Sequence, residues 1–263
     1  MQIFKNIEII DLCLFLTKSK TLVIPDVHIG YEEALNKQGI LIPRTQFKEI
    51  MINIEKIIKE VIFRFNSINQ IIILGDLKHE FGRISETEWR QTLRFLDFLS
   101  KFCNNIILIK GNHDTILGPI AKKRNLEIVD NCLVDDILFV HGDKIPTEIS
   151  KQTKTIIIGH EHPAISLKQG PRVEKYKCFL KGNWIMNKKI ISKLEKYAFK
   201  EQRIYNLIVM PSFNPLIEGT DILKEELLNP LLKQADIGKL DVFIVGDNVY
   251  NFGKIKEIVK HMK

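Results

Sequence analysis

The sequence lacks the features of membrane proteins, secreted proteins and low-complexity chains. No apolar run approaches the length needed to cross a bilayer, and the N-terminus has no small-residue cleavage site of a signal peptide. Internal repeats, low-complexity tracts and Gly/Ser linkers are missing as well. We therefore expect one domain over residues 1–263, located in the cytoplasm and without a membrane partner.

Cysteine is scarce, and no two cysteines are close enough in sequence to form a C-x-x-C pair. Cys13, Cys103, Cys132 and Cys178 each lie among apolar residues. This placement predicts buried thiols in a reducing compartment.

The chain also lacks a basic tract, although its formal net charge is +7 and its pI is about 9.1. Such a charge makes nucleic acid or another polyanion a plausible partner. The charges are dispersed, however, so a Lys-rich solvated surface explains them equally well. Charge alone leaves both interpretations open.

The first half of the chain alternates short apolar runs with amphipathic helical patterns. Buried strands are predicted at 21–24, 71–74 and 105–109, and helices are predicted at 45–65 and 85–99. This β-α-β-α-β order predicts a parallel sheet with right-handed crossovers. Ser85 and Glu88 form the capping pattern that starts the second of these helices.

The second half has apolar runs with shorter connections, which favour more antiparallel pairing. Its predicted strands are 126–129, 137–140, 155–158, 172–180, 204–210 and 241–245. Residues 184–202 are Lys-rich with helical spacing, and we interpret them as an insertion or cap. Residues 2–16 predict an opening strand or hairpin, and residues 31–37 predict a short helix.

Polar residues follow five of the apolar runs. Because parallel strands of an α/β sheet present their carboxyl ends to one ligand-binding crevice, these residues can converge. They are Asp26 and His28, Asp76, Asn112 with His113 and Asp114, His141, and finally His160 with His162. Taken singly, Asp26 with His28 and Asp76 are also typical of ordinary turns, and His141 could be a hydrogen-bonded core histidine. The paired histidines at 160 and 162 are harder to explain by packing. The ordered set of five predicts a site.

The donor types predict a divalent-metal site. Asp76 can bridge two cations, Asn112 offers a neutral oxygen, and the histidines offer imidazole nitrogens. Mixed oxygen and nitrogen donors without thiolate suit Mn²⁺, Fe or Zn²⁺ better than Ca²⁺. Two such cations could clamp a phosphoryl group, activate a water and stabilise the leaving oxygen.

His113 and Asp114 are the candidate catalytic residues. His113 is placed to protonate a leaving group or to bind a phosphate oxygen. Asp114 could orient that imidazole, or it could be a turn residue that accepts backbone amides.

With these elements identified, the sequence resembles the calcineurin-like metallophosphoesterases. The ordered signature of that family is Asp-x-His, Gly-Asp, Gly-Asn-His-Asp/Glu, His and Gly-His-x-His, and it matches within residues 21–162. The resemblance implies a four-layer α-β-β-α sandwich with mixed sheets and a dinuclear metal centre. It assigns Asp26, His28, Asp76 and His162 to one metal. It assigns Asp76, Asn112, His141 and His160 to the other, and makes His113 the catalytic histidine.

The Gly-Asp element continues as Leu77-Lys78-His79-Glu80, which differs from the Val-Asp-Arg-Gly of protein phosphatases. The sequence is closer to a small prokaryotic and archaeal branch related to recombination nucleases and to phosphoesterases associated with DNA ligases or helicases. His79 and Glu80 could contribute to substrate binding, or they could form a helix-entry turn. The turn at 210–215 could border the cleft, or it could be a Pro-fixed loop with a packed Phe213.

These observations predict a cytoplasmic, metal-dependent phosphodiesterase that hydrolyses a phosphodiester or a cyclic nucleotide. The alternatives are a DNA or RNA nuclease of the same fold and a non-catalytic scaffold. The expected cofactors are two divalent ions, with Mn²⁺ first and Fe, Ni²⁺ or Zn²⁺ as alternatives. The sequence leaves the oligomeric state open, a homodimer included.

Overall fold

The structure, a computed structural model, describes residues 1–82, 84–124, 126–186 and 202–261. The chain is a mixed α/β protein with two β-sheets. It divides into two compact units. Unit 1 comprises Met1–Asp130 and Ser212–Ile217, and unit 2 comprises Asn131–Pro211 and Glu218–Lys263. The expectation of one domain stays a prediction.

Unit 1 contains a seven-stranded mixed sheet whose spatial order follows the chain. The pairs from β1 to β4 are antiparallel, and those from β4 to β7 are parallel. The strands are β1 (Gln2–Phe4), β2 (Ile7–Ile10), β3 (Cys13–Leu16), β4 (Thr21–Ile24), β5 (Gln70–Ile73), β6 (Ile106–Ile109) and β7 (Glu127–Val129). Strands β4, β5 and β6 are buried at nearly every position, because their Ile, Leu and Val side chains fill the core of unit 1.

The described residues of unit 1 form four helices. They are α1 (Tyr31–Lys37), α2 (Gln46–Phe65), α3 (Glu86–Leu99) and α4 (Gly118–Arg124). Helix α2 buries one stripe, including Ile50, Ile54 and Ile57, in the unit 1 core. At the start of α3, the Ser85 hydroxyl accepts the Glu88 amide at 3.1 Å, as the capping pattern predicts.

Unit 2 contains a nine-stranded mixed sheet. Its strands are β8 (Asn131–Val134), β9 (Ile137–Val140), β10 (Thr155–Ile158), β11 (Pro163–Gln169), β12 (Arg172–Met186), β13 (Arg203–Val209), β14 (Thr220–Asp221), β15 (Asp241–Val245) and β16 (Val249–Lys254). Helix α5 (Ile255–His261) follows. The central pairs β9–β10 and β10–β13 are parallel, whereas most flanking pairs are antiparallel. The expected antiparallel character therefore holds only away from the centre.

Three local expectations differ from the structure or fall outside the described residues: the end of β12, the predicted cap and the burial of Cys132. Strand β12 runs on to Met186, because residues 180–186 pair along β13, so residues 184–186 are strand rather than the start of a helical cap. The rest of the predicted cap, residues 187–201, lies outside the described residues. Cys13, Cys103 and Cys178 are buried as expected, but Cys132 is only half-buried on β8 at the sheet's end.

Candidate active site

Unit 1 brings its predicted site residues together at one edge of the sheet. Asp26 and His28 follow β4, Asp76 follows β5, and Asn112 with His113 follows β6. These three strands are parallel neighbours, so their carboxyl ends adjoin. The Val27 and His28 amides donate to the Asp76 carbonyl at 3.1 and 2.8 Å, which joins the first two loops directly.

Asp76 lies at the centre of this group. Its Oδ2 is 3.6 Å from His28 Nε2, and its Oδ1 accepts the His113 amide at 2.9 Å. A Cβ at Gly111 would lie 2.1 Å from Asp76 Oδ1, so only glycine leaves room for the carboxylate. The glycine of the Gly-Asn-His-Asp motif therefore has a steric role, which is to admit Asp76.

Four predicted metal ligands have backbone conformations that L-residues rarely adopt. The φ angles are +47° at His28, +42° at Asp76, +63° at His160 and +49° at His162. A non-glycine residue in the left-handed region is uncommon and is strained unless the surroundings enforce it. The conformation turns the chain beside a strand end at each of these four predicted ligands.

Asp114 organises the loops. Its carboxylate accepts the Gly111 amide at 3.0 Å and the Leu77 and Lys78 amides at 3.4 Å. A buried carboxylate that accepts backbone amides fixes the loops that carry it. This geometry favours the second of the two roles that the sequence allowed for Asp114.

The loop carrying Asp26 and His28 is held by residues far along the chain. The Ser212 hydroxyl and the Phe213 amide donate to the Asp26 carbonyl at 3.2 and 2.9 Å. Asn214 Nδ2 donates to the carbonyls of Val27 at 2.9 Å and His28 at 3.1 Å. Phe213 is buried in the unit 1 core, as the packed-loop interpretation expected. The polar roles of Ser212 and Asn214 were missed, because nothing in the sequence connects them to residues 26–28.

Lys78 and Glu88 hold the loop after Asp76, a structural role that the sequence did not predict for either residue. Lys78 is fully buried, and its ammonium donates to the carbonyls of Glu80 and His113. The Glu88 carboxylate accepts the amides of His79 and Glu80 at 2.8 and 2.9 Å. The sequence pattern assigned Glu88 only to the capping of α3, whereas its carboxylate also holds the loop after β5.

His79 and Glu80 occupy different surroundings. His79 Nδ1 is 3.4 Å from His28 Nδ1, and the His79 carbonyl bonds His113 Nδ1. The Glu80 carboxylate instead pairs with Lys37 of α1. Burial, with a smaller contribution from His113, lowers the pKa of His79 to about 4, so its ring is neutral at neutral pH.

His113 is surrounded by rings. The His79 ring stacks on it with centroids 5.0 Å apart, and the His28 ring meets it edge-on at 4.9 Å. The Phe81 ring lies 3.8 Å away at an angle of 33°. Because Nδ1 is bonded to the His79 carbonyl, the catalytic role predicted for His113 would use Nε2.

Unit 2 brings its own three predicted histidines to adjoining strand ends. His141 follows β9 and His160 follows β10, which is its parallel neighbour. His141 Nε2 and His160 Nδ1 are 3.2 Å apart. Two imidazole nitrogens this close can share a proton or can point at one cation.

The loop carrying His160 and His162 is held from within unit 2. The buried Glu161 carboxylate accepts the amides of Leu228 and Asn229 at 3.0 and 2.7 Å. Burial raises the pKa of Glu161. A Cβ at Gly219 would lie 2.0 Å from the His162 carbonyl, which accepts the Thr220 amide. Glu161, between two predicted ligands, thus joins their loop to the segment at Leu228 and Asn229.

The donor chemistry fits divalent cations. Within unit 1, one ring nitrogen each from His28, His79 and His113 lies within 4.8 Å of the others, although only His28 of the three is a predicted ligand. With Asp76 beside His28, this edge offers imidazole and carboxylate donors together. Such a set suits Mn²⁺, Fe or Zn²⁺.

A family model described as calcineurin-like phosphoesterase matches residues 19–179, which is more than half of the chain. The chain belongs to the calcineurin-like phosphoesterases. The expected family and fold class are thereby confirmed. Membership implies a hydrolase of phosphoesters that uses a dinuclear metal centre, and the chain has histidine and aspartate groups able to hold metal ions.

Solved structures of similar fold include a nuclease from Pseudomonas putida, called MPE. It has 16% sequence identity and a TM-score of 0.59, with 93% of each chain covered. A protein of unknown function from Aquifex aeolicus has 20% identity and a TM-score of 0.33, covering 54% of this chain and 78% of its own. Vps29 from Entamoeba histolytica has 13% identity and a TM-score of 0.31, covering 89% and 99%. Among curated proteins, the sequence search finds no significant match.

Within the described parts of the chain, none of the helices is long and apolar enough to cross a bilayer.

Proposed function

We propose that the protein is a metal-dependent phosphodiesterase with a dinuclear centre. The observation that carries this proposal is the convergence of ligand-type side chains at buried strand ends in each unit. In unit 1 these residues are Asp26, His28, Asp76 and Asn112, and in unit 2 they are His141, His160 and His162. The left-handed backbone at four of them supports a role beyond turn formation.

Residues of the chain would bridge the cations, position the bridging carboxylate and protonate the leaving group. Asp76 would serve both cations, and Gly111 and the His113 amide hold its carboxylate in place. His113 would donate a proton from Nε2 to the leaving oxygen, since its Nδ1 is bonded to the His79 carbonyl. When bound, the cations would supply charge neutralisation of the phosphoryl oxygens and activation of a water.

We propose Mn²⁺ as the native ion, with Fe, Ni²⁺ and Zn²⁺ as alternatives, because a His, Asp and Asn donor set accepts all four. We propose the cytoplasm as the location, because the four free cysteines fit a reducing compartment.

A nuclease is the second candidate. Two observations favour it: the net charge of +7 and the shared fold with a nuclease. Charge neutralisation of phosphates would make DNA binding steeply dependent on salt. A diesterase of small molecules would show a weak dependence instead.

The test is a hydrolysis panel on metal-stripped protein reloaded with Mn²⁺. The substrates are bis-p-nitrophenyl phosphate, p-nitrophenyl phosphate, 2′,3′-cyclic nucleotides, and single-stranded and double-stranded DNA. Diester turnover that needs metal and is lost in His113→Ala would support the phosphodiesterase. Turnover of the monoester alone would contradict a phosphodiesterase and would indicate a phosphomonoesterase instead. An absence of turnover in spite of tight metal binding would favour the scaffold.

A further inference from the structure

Phe81 is an exposed aromatic side chain beside the candidate catalytic histidine. It lies between β5 and α3, and 63% of its surface is exposed. Its ring centroid is 3.8 Å from that of His113. One side of the Phe81 ring therefore contacts the imidazole, and the rest is open to solvent.

Exposed phenylalanines are common on protein surfaces and need no functional explanation by themselves. Phe63, on the outer face of α2, is 87% exposed and is an ordinary case. Phe81 differs in its surroundings, because it extends a row of rings. Tyr31 meets His79 at 4.7 Å, His79 stacks on His113, and His113 contacts Phe81.

The segment leading to Phe81 is held in place. The amides of His79 and Glu80 are fixed by the Glu88 carboxylate, and the Glu80 carbonyl is fixed by the Lys78 ammonium. The next residue, Gly82, has a φ of +80°, a conformation that allows the chain to turn directly after the ring. A side chain that is preorganised in the free protein loses little conformational entropy when a ligand binds.

We propose that Phe81 is the stacking surface for the base of the leaving nucleoside, and that the substrate is therefore a nucleoside phosphodiester with an unpaired base. This inference rests on the proposed function. In the hydrolysis, a water oxygen forms a bond to phosphorus and loses a proton to solvent, and the bond from phosphorus to the leaving oxygen breaks. His113 gives its proton to that leaving oxygen and regains one from solvent. The group attached to the leaving oxygen must then lie on the His113 side, where the exposed ring of Phe81 is.

A flat aromatic surface suits a nucleobase, and stacking of a base on an aromatic side chain tolerates any sequence. Stacking on Phe81 requires that the base be free of a duplex. Single strands and dinucleotides fit this requirement, whereas double-stranded DNA does not.

The first test measures binding without turnover. A short single-stranded oligonucleotide with one 2-aminopurine is titrated with metal-stripped protein, and stacking is followed by fluorescence quenching. We expect quenching by the wild type, and a Kd about ten-fold higher for Phe81→Ala, which is the order of one lost stack. Phe81→Leu keeps an apolar cover over His113 without an aromatic face and should lose as much, whereas Phe81→Trp should restore binding. Phe63→Ala is the matched control and should bind like the wild type. Equal affinity for all variants would overturn the inference.

The second test uses Mn²⁺-loaded protein and dinucleotides in which one of the two bases is absent. The position of the phosphate on the product identifies the leaving nucleoside. Phe81→Ala should raise KM about ten-fold only where the leaving nucleoside carries its base, with kcat nearly unchanged. An equal loss on both abasic dinucleotides would show that Phe81 only supports His113, and would overturn the stacking role. No turnover of any diester by the wild type would refute the proposed function, and the binding test would still decide the stacking.

Discussion

Two buried residues that are not predicted ligands, Lys78 and Gly111, hold the loops of the candidate site. Each can be substituted without removing a predicted ligand. Lys78 is one, because its ammonium joins the loop after β5 to the loop after β6 through two carbonyls. Gly111 is another, because Asp76 occupies the space that a side chain would need. Substitutions at these two residues test whether the loops after β5 and β6 depend on each other for their conformation.

Lys78→Met should lower the free energy of unfolding by about 2 kcal/mol, since two buried carbonyls lose a charged donor. Urea unfolding measures this change. Lys56→Met is the control, because Lys56 is exposed and pairs with Asp11 at the surface. Its effect on the free energy of unfolding should stay within about 0.5 kcal/mol. Equal effects of both changes would contradict a structural role for the Lys78 ammonium.

Gly111→Ala should weaken Mn²⁺ binding about ten-fold or more, because the new Cβ displaces the Asp76 carboxylate. Calorimetric titration with Mn²⁺ measures the affinity. Gly118→Ala is the matched control, since nothing lies within 4 Å of its added Cβ. Unchanged Mn²⁺ affinity in Gly111→Ala would remove Asp76 from the ligand set.

At the scale of elements, two segments depend on partners that are distant in sequence. The 212–217 segment returns to unit 1 to hold the loop after β4. Helices α1 and α2 are joined by reciprocal bonds: the Glu32 carboxylate accepts the Gln46 amide at 2.9 Å, and Gln46 Oε1 accepts the Glu32 amide at 3.1 Å. These contacts place α1 close to His28, whose carbonyl accepts Gln46 Nε2.

Asn214→Asp keeps the shape of the side chain but removes the donor to the Val27 and His28 carbonyls. We expect a loss of about 2 kcal/mol in the free energy of unfolding, because two buried acceptors would then face a carboxylate. Urea unfolding compares it with Asn104→Asp, a change in an exposed loop before β6. Equal free energies of unfolding for Asn214→Asp and Asn104→Asp would show that the 212–217 segment does not hold the loop after β4.

Glu32→Gln tests the α1–α2 junction through pH. Burial raises the pKa of Glu32, so the folded state binds its proton more tightly than the unfolded state does. Stability of the wild type relative to Glu32→Gln should therefore fall as the pH rises above the ordinary glutamate value, and should be constant below it. Urea unfolding of both proteins over a pH series measures the difference, and a flat difference would contradict the raised pKa.

At the scale of the whole molecule, most of the strands and the candidate ligands could be predicted from sequence. Buried strands such as Thr21–Ile24 and Thr155–Ile158 are short runs of β-branched and apolar residues, and their polar ends stand out as motifs. Ser212 and Asn214 could not be found in this way, because their partners are backbone carbonyls nearly two hundred residues away, which leave no pattern. The predicted strand ended at residue 180, because the half-buried Lys181 and Gly182 and the exposed Asn183 are not typical of a strand, although β12 continues through them.

The most direct test of the dinuclear centre is the number of Mn²⁺ ions that one chain binds. Metal-stripped protein is titrated with Mn²⁺ by calorimetry, and the bound metal is counted by mass spectrometry after removal of free ions. We predict two Mn²⁺ ions per chain in the wild type, and weaker binding of both in Asp76→Asn, because Asp76 is the proposed bridge. Binding of one ion or none by the wild type, under conditions where it is folded, would contradict the proposed centre.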